Sequence, residues 1–384
     1  MRRERIEYLS TYRAMAIVAV LFIHATSSTI HEALDSDLYY GYVFFNIFNK
    51  FAVPAFIFLS AFVLFYNYAD KSFTRSNLFS FYRKRLKFII LPYLICSLCY
   101  FLVIQLVHPE GILGWSSLQT FGYQLLTGSA YAHLYYIIVI VQFYLLFPLH
   151  VYISRSKTIV KYSLLIGLIL QWTFILLNKY QFHIEEKGSL FLSYASFWML
   201  GAFMALNWDQ LITWIQSLFN PESTRRHKLW NGLLWSSWFL IGLFQVQMWY
   251  ALHLKLWWVN SLYYELIWNV HSLLSCLILF QVSAWVARSG QHFMKHTLMH
   301  LGNASFGIYL LHPVFLLIYR KLPWYGGSAV LYPIYIVMGF VLSLGISWLI
   351  VTYITRWFSW SWIVFGSMAD RSAPSKPSTT SMNV

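Results

Sequence analysis

The stretch YRAMAIVAVLFIHA, residues 12–25, decides how the rest of the sequence is interpreted. It is apolar enough to cross a lipid bilayer as a helix, yet it carries Arg13 near one end and His24 near the other. An ionisable side chain in a membrane span is costly and usually has a structural or chemical role. The rest of the chain therefore has to show what surrounds this span and why it holds two such residues.

The whole chain has the composition of a membrane protein. Of its 384 residues, 59% are hydrophobic and only 10% are charged, whereas a soluble domain carries roughly a quarter charged residues. The apolar residues occur in blocks of about 20, the length at which a helix crosses the hydrocarbon core. We therefore predict an all-α fold, a polytopic integral membrane helical bundle of about ten transmembrane helices.

Ten apolar blocks are long enough to span a bilayer as helices. The predicted spans are residues 10–30, 39–66, 88–107, 131–153, 159–178, 190–207, 229–250, 263–287, 298–319 and 329–356. Residues 1–366 are predicted to form one transmembrane domain. The polar tail 367–384, rich in Ser and Pro, is predicted to be a disordered cytoplasmic segment.

The positive charge is sorted by side of the membrane, which argues against a nucleic-acid partner. Counting Arg13, the side that holds both termini carries 21 of the 27 Lys and Arg residues, and the opposite connectors carry five. Cytoplasmic connectors show this excess of Lys and Arg. The pattern predicts a multi-pass protein of the cell membrane, in contact with the lipid bilayer and with both termini in the cytoplasm.

Arg13 and His24 project from one face of the first helix. Their separation of eleven residues corresponds to three turns plus about 20°, and to an axial distance of about 16 Å. Taken alone, Arg13 is best explained as an interfacial anchor, and His24 as a core histidine bonded to a neighbouring helix. For the pair on one face, a functional role is the better interpretation. These two residues are the predicted catalytic pair.

The stretch FYRKRLKFIILPY, residues 81–93, places a basic cluster at the start of a span. Topology alone accounts for much of it, because positive residues flank spans on the cytoplasmic side. An anion site is an equally good interpretation, since guanidinium groups bind phosphate oxygens in pairs. Under the second interpretation Arg83, Arg85 and Lys87 would bind the anionic part of a substrate.

Two further stretches carry polar residues in apolar surroundings. His133 lies among tyrosines at the start of a predicted span, where an aromatic belt at the membrane interface is the simpler explanation. Ser305, Tyr309 and His312 lie in LGNASFGIYLLHPVF, residues 301–315, where hydrogen-bonded core groups are the simpler explanation. We retain all four as residues of a predicted pocket, and we predict no metal site.

Taken together, these residues resemble the acyltransferase-3 family of integral membrane acyltransferases. The most specific element is an Arg and a His separated by ten residues in the first span, and supporting elements are VPAFIFLSAFVL, KRLKFIILPY, AHLYYI and SFGIYLLHP. Within the family, the chain is similar to bacterial O-acyltransferases of surface polysaccharides and to the membrane protein of intercellular-adhesion polysaccharide operons. The sequence departs from the family pattern at Ala61, where many members have Gly.

The resemblance implies transfer of an acyl group, acetyl in the simplest case, to a hydroxyl of a cell-surface polysaccharide or its lipid-linked precursor. Acetyl-CoA or another acyl-CoA would be the cosubstrate, with no permanently bound cofactor. Its phosphates would meet Arg13 and the basic cluster, and neutral His24 would act as general base on the sugar hydroxyl. The implied location is the bacterial plasma membrane.

Two other functions stay open at this point. A polysaccharide exporter would use the same intramembrane polar residues to line a path, without acyl-transfer chemistry. A structural partner of a polysaccharide synthase would need neither a path nor a reaction. Consumption of acyl-CoA would distinguish the acyltransferase from the exporter and from the structural partner.

Overall fold

The computed structural model describes residues 6–69, 71, 73–107, 115–218, 220–289 and 291–366. In these residues all regular structure is helical. The helices are α1 Leu9–Ala25, α2 Thr29–Glu32, α3 Tyr39–Phe48, α4 Ala52–Tyr68, α5 Arg75–Arg85, α6 Leu91–Val107, α7 Trp115–Thr127, α8 Tyr135–Ile153, α9 Lys157–Leu177, α10 Ala195–Leu206, α11 Trp208–Ile215, α12 Arg225–His253, α13 Ser261–Arg288, α14 His292–Arg320, α15 Leu331–Trp357 and α16 Trp362–Phe365. The predicted tail 367–384 lies outside the described residues.

The predicted fold class is confirmed: the protein is an all-α, polytopic membrane bundle. Eight helical segments in the described part of the chain are long and apolar enough to cross a bilayer. The two other predicted spans are also helical. The predicted span 190–207 contains the 12-residue α10, and the predicted span 229–250 lies inside the 29-residue α12.

The second apolar block, 39–66, contains two α-helices joined by a short 3₁₀ turn. α3 ends at Phe48, a 3₁₀ turn covers Asn49–Phe51, and α4 begins at Ala52. Pro54 therefore stands in the first turn of α4, where its missing N–H breaks no helical hydrogen bond. Lys50 lies in this 3₁₀ turn.

Helix α1 lies at the centre of the bundle and packs against α4, α13, α14 and α15. Its approach to α14 is very close, because a Cβ atom at Gly302 would lie 1.7 Å from the carbonyl oxygen of Ser10. At the same level, Ser10 Oγ donates a hydrogen bond of 2.7 Å to Asn303 Oδ1. Small residues that let two helices approach are typical of membrane interfaces. The contact at Gly302 thereby sets the position of α14 along the axis of α1.

The two ends of the bundle can be distinguished by α1 and α14, which run in the same direction. Where both helices begin, Lys295 Nζ lies 3.6 Å from a carboxylate oxygen of Glu7. Where both end, Arg320 Nη2 donates a hydrogen bond of 2.6 Å to the carbonyl oxygen of His24. We call the first end the N-side and the second the far side.

Candidate functional site

A cavity of about 420 Å³ lies between α1, α4, α5, α8 and α14. Its walls are mostly apolar, and its polar lining residues are Arg13, Ser60, Lys84, Arg85, Tyr136, Tyr144, Ser305 and Tyr309. This volume is within the usual range for small-molecule sites. The cavity is therefore a candidate binding site, and its polar residues come from all five helices.

The N-side part of the cavity is cationic. Arg13, Lys84 and Arg85 line it, and none of its described lining residues is Asp or Glu. The Arg85 guanidinium carbon lies 4.0 Å from the centre of the Phe81 ring and 5.5 Å from that of Tyr144. Aromatic faces hold a guanidinium in place while leaving its N–H donors available. This part of the cavity is suited to bind an anion.

Two members of the basic cluster lie elsewhere. Arg83 is exposed and does not line the cavity. Lys87 is also exposed, and its Nζ lies 4.0 Å from the centre of the Trp362 ring. The structure thus brings Arg85 together with Arg13, and it does not bring Arg83 or Lys87 into the same wall.

The chain changes its helical geometry directly after Arg85. α5 ends there and a π-helical turn covers Leu86–Ile90 before α6 begins at Leu91. Such turns occur frequently at functional sites because they redirect the side chains around them. Phe88 and Ile89, from this turn, form part of the cavity wall. The turn therefore helps to position the cationic end.

Three histidines come together at the other end of α1. The ring centres of His24 and His312 are 5.1 Å apart, and those of His133 and His312 are 5.6 Å apart. His133 and His312 are fully buried, whereas His24 is half-buried. His24 is therefore the member of this histidine cluster that a substrate can reach most directly.

The ring nitrogens in this cluster are partly unpaired. His312 Nδ1 lies 3.1 Å from the carbonyl oxygen of Ile308, so Nδ1 carries the proton of that hydrogen bond. Nε2 of His312 and both ring nitrogens of His133 have no hydrogen-bond partner in the described part of the chain. Buried polar atoms are usually paired. The cluster therefore holds buried ring nitrogens whose hydrogen bonds the described residues do not supply.

Tyr309 stands between the cavity and the histidine cluster. It lines the cavity, and its ring centre is 5.0 Å from that of His133 and 6.2 Å from that of His312. Its hydroxyl donates a hydrogen bond to the carbonyl oxygen of His133. Arg13 lines the cavity and His24 does not, so the two residues belong to neighbouring regions, the cavity and the histidine cluster, which we call the two compartments.

The predicted pocket residues divide between these compartments. Ser305 and Tyr309 line the cavity, whereas His133 and His312 belong to the histidine cluster. Sequence reasoning missed Tyr136 and Tyr144 as cavity residues. Their spacing of eight, just over two turns of α8, is the signal that would have placed them near one face. Among the described residues, no group of three or more His, Cys, Asp or Glu side chains is arranged to hold a metal ion.

Comparison with known proteins identifies the family of the chain. A profile of the acyltransferase-3 family, described as an acyltransferase domain, matches residues 6–352 and so covers both compartments. The chain belongs to the acyltransferase-3 family. The predicted resemblance is thereby confirmed, and the protein is a multi-pass membrane protein with an acyltransferase domain.

More distant similarity links this acyltransferase-3 protein to proteins of Staphylococcus aureus. Its relatives in strains MSSA476, MRSA252 and MW2 are each named probable poly-beta-1,6-N-acetyl-D-glucosamine export protein. Each is 24% identical over 337 residues, which cover 82% of this chain and 83% of the relative. No solved structure matches the chain significantly.

Proposed function

We propose that the protein transfers an acyl group, acetyl in the simplest case, from acyl-CoA to a hydroxyl of a cell-surface polysaccharide or its precursor. The observation that carries this proposal is the pairing of two compartments along α1. A cationic cavity begins at Arg13, and a cluster of imidazoles with unpaired nitrogens surrounds His24. The acyltransferase domain supports the reaction class.

In this proposal the cavity binds the donor. Arg13, Lys84 and Arg85 hold the phosphates of acyl-CoA through charge-assisted hydrogen bonds. Arg83 and Lys87, which are exposed near the same end, add to the positive potential that attracts the donor. The acyl end of the donor then points along the cavity toward Ser305 and Tyr309.

His24 acts as the general base in the proposed reaction. It takes the proton of the acceptor hydroxyl while the hydroxyl oxygen forms a bond to the thioester carbonyl carbon. The carbon–sulfur bond then breaks, and the leaving thiolate takes up the proton, so that an ester and free CoA thiol are formed. His312, 5.1 Å away between ring centres, lies beside His24 and limits its movement. The acyl group must pass Tyr309 to reach this base.

The acceptor and the location are also part of the proposal. The names of the Staphylococcus aureus relatives point to poly-β-1,6-N-acetylglucosamine as the class of acceptor. The excess of Lys and Arg on the N-side supports a cytoplasmic N-side in a bacterial plasma membrane. The histidine cluster would then meet a glycan on the far side, where a polysaccharide synthase is a candidate partner.

Export of polysaccharide is the second candidate function, because the relatives are named as export proteins. The two functions are separated with purified protein in liposomes that contain β-1,6-linked N-acetylglucosamine oligomers and radiolabelled acetyl-CoA. We expect label to appear in ester linkage on the oligomer and free CoA to accumulate, with empty liposomes and His24→Ala protein as controls. Movement of unmodified oligomer across the membrane without loss of acetyl-CoA would favour export.

A further inference from the structure

A second cavity of about 420 Å³ lies on the far side, apart from the two compartments described above. It is formed by the 3₁₀ turn at Lys50, by α12, by residues 258–261 and by α13. Its lining residues are Lys50, Gln245, Trp249, Leu252, Trp258, Val259, Ser261, Tyr264, Glu265 and Trp268. Gln245 lies eight residues before the end of α12, so the cavity reaches about 12 Å below that end.

Three indole rings line this cavity, those of Trp249, Trp258 and Trp268. Trp268 Nε1 donates a hydrogen bond of 3.1 Å to the carbonyl oxygen of Lys50. The Lys50 ammonium lies 4.3 Å from the centre of the Trp249 ring. Trp258, at the rim, is 81% exposed. Two of the rings are thus fixed in place, and the third is open to solvent or to a ligand.

The floor of the cavity holds an unpaired amide. Gln245 is 1% exposed, and neither its nitrogen nor its oxygen has a hydrogen-bond partner among the residues that the structure describes. A buried amide without a hydrogen-bond partner lowers the stability of the folded protein. A ligand that offers both a donor and an acceptor at this point would remove that cost.

We propose that this cavity binds a sugar unit of a glycan chain. A sugar ring has apolar C–H faces that pack on indole rings, and hydroxyls that both donate to and accept from an amide such as that of Gln245. The cavity and His24 both lie toward the far side, so the cavity would hold one part of the glycan while another part is acylated. That link to acylation rests on the proposed function, but binding of the sugar does not.

Other ligands fit the cavity less well. A phosphate-bearing ligand would meet the Glu265 carboxylate, which is held by Lys187 Nζ at 2.5 Å, and the Lys50 ammonium is already on the Trp249 ring. A lipid acyl chain would leave the Gln245 amide unpaired in an apolar medium. The aromatic belt of a membrane interface explains exposed Trp side chains, but it does not explain a buried amide at the floor.

The test is calorimetric titration of the full-length protein in lipid nanodiscs with a β-1,6-linked N-acetylglucosamine hexasaccharide, in the absence of acyl donor. We expect saturable binding that Gln245→Met weakens about tenfold, the value of one or two lost hydrogen bonds. The thermal midpoint should stay the same or rise, because the variant removes an unpaired buried amide. Trp258→Ala should also weaken binding about tenfold, whereas its neighbour Trp257→Ala, which does not line the cavity, should not.

Several results would overturn the inference. They are absence of binding to the wild-type protein, wild-type affinity in both Gln245→Met and Trp258→Ala, and a bound phospholipid that mass spectrometry finds in wild type but not in Gln245→Met. Failure of acyl transfer is a separate result. If the hexasaccharide binds and the variants weaken it while acetyl-CoA is not consumed, the sugar site stands and the proposed reaction does not.

Discussion

The two ends of helix α1 hold the two polar residues of the opening stretch in very different surroundings. Arg13 lines a cavity with Lys84 and Arg85, whose long side chains can adjust to a ligand. His24 lies among packed rings, 5.1 Å from His312. Charge attraction acts over several ångströms, whereas proton transfer needs heavy atoms within about 2.6–3.2 Å. The N-side end should therefore tolerate small displacements, and the far end should not.

Removal of the proposed base tests the far end most directly. His24→Ala should lower turnover by roughly two to four orders of magnitude, the usual contribution of a positioned base. Donor binding should be largely unchanged, because the cationic cavity does not include His24. Acyl transfer and acetyl-CoA binding are measured on purified protein, with His31→Ala as the matched histidine control. Full acylation by a stable His24→Ala protein would mean that His24 has only a packing role.

A shift of α1 against α14 tests the difference in tolerance. In Gly302→Ala the added Cβ would lie 1.7 Å from the Ser10 carbonyl oxygen, so the helices must move apart. A displacement of about 1 Å can cost about 100-fold in turnover, and we expect a loss of that size with a much smaller change in donor affinity. Gly345→Ala is the control, because its Cβ would meet nothing within 4 Å. Equal losses in turnover and donor affinity would contradict the comparison.

Conservative replacement at the N-side end should have a moderate effect. Arg13→Lys keeps the charge but loses the paired N–H donors of guanidinium. We expect the KM for acetyl-CoA to rise about tenfold while kcat changes less, since the role assigned to Arg13 is binding. Steady-state kinetics at several donor concentrations measure both constants. Wild-type KM in this variant would mean that Arg13 acts only as an anchor of the helix.

The smallest predicted effects distinguish Arg85, which lines the cavity, from Arg83, which does not. Arg85→Ala removes a cation from the cavity wall, and we expect the KM for acetyl-CoA to rise about tenfold. Arg83→Ala removes an exposed cation outside the wall, so the rise should stay within about twofold and disappear at high salt. Comparison of the two variants at low and high ionic strength measures both effects. A larger effect for Arg83 would place the donor outside the cavity.

Much of the fold follows from the sequence because a membrane span needs only length and apolar composition. Each of the ten predicted spans contains a helix, and eight helical segments of the described chain are long and apolar enough to cross a bilayer. Length and composition did not, however, predict which basic side chains face the cavity. Arg83 and Arg85 are two residues apart, which is about 200° around a helix, so one lines the cavity and the other does not.

The histidine cluster shows a second limit of sequence reasoning. His24, His133 and His312 were each identifiable as polar residues in apolar surroundings. Their meeting depends on the close approach of α1 and α14 at Gly302 and on the chain entering α8 beside Tyr309. Neither contact leaves a periodic signal in the sequence. The roles assigned to these residues stay predictions until the variants are measured.

If the protein acts as proposed, the position of Tyr309 also bears on the leakage of ions across the membrane. Such a protein admits a hydrophilic cofactor from one side and a hydrated glycan from the other. If the two openings were connected, protons would leak across the membrane and the proton gradient would be lost. Tyr309 packs on His133 and on Tyr136, with its hydroxyl bonded to the His133 backbone. An aromatic partition of this kind would let an acyl group cross while it keeps ions out. The protein could then work in an energised membrane without discharging it.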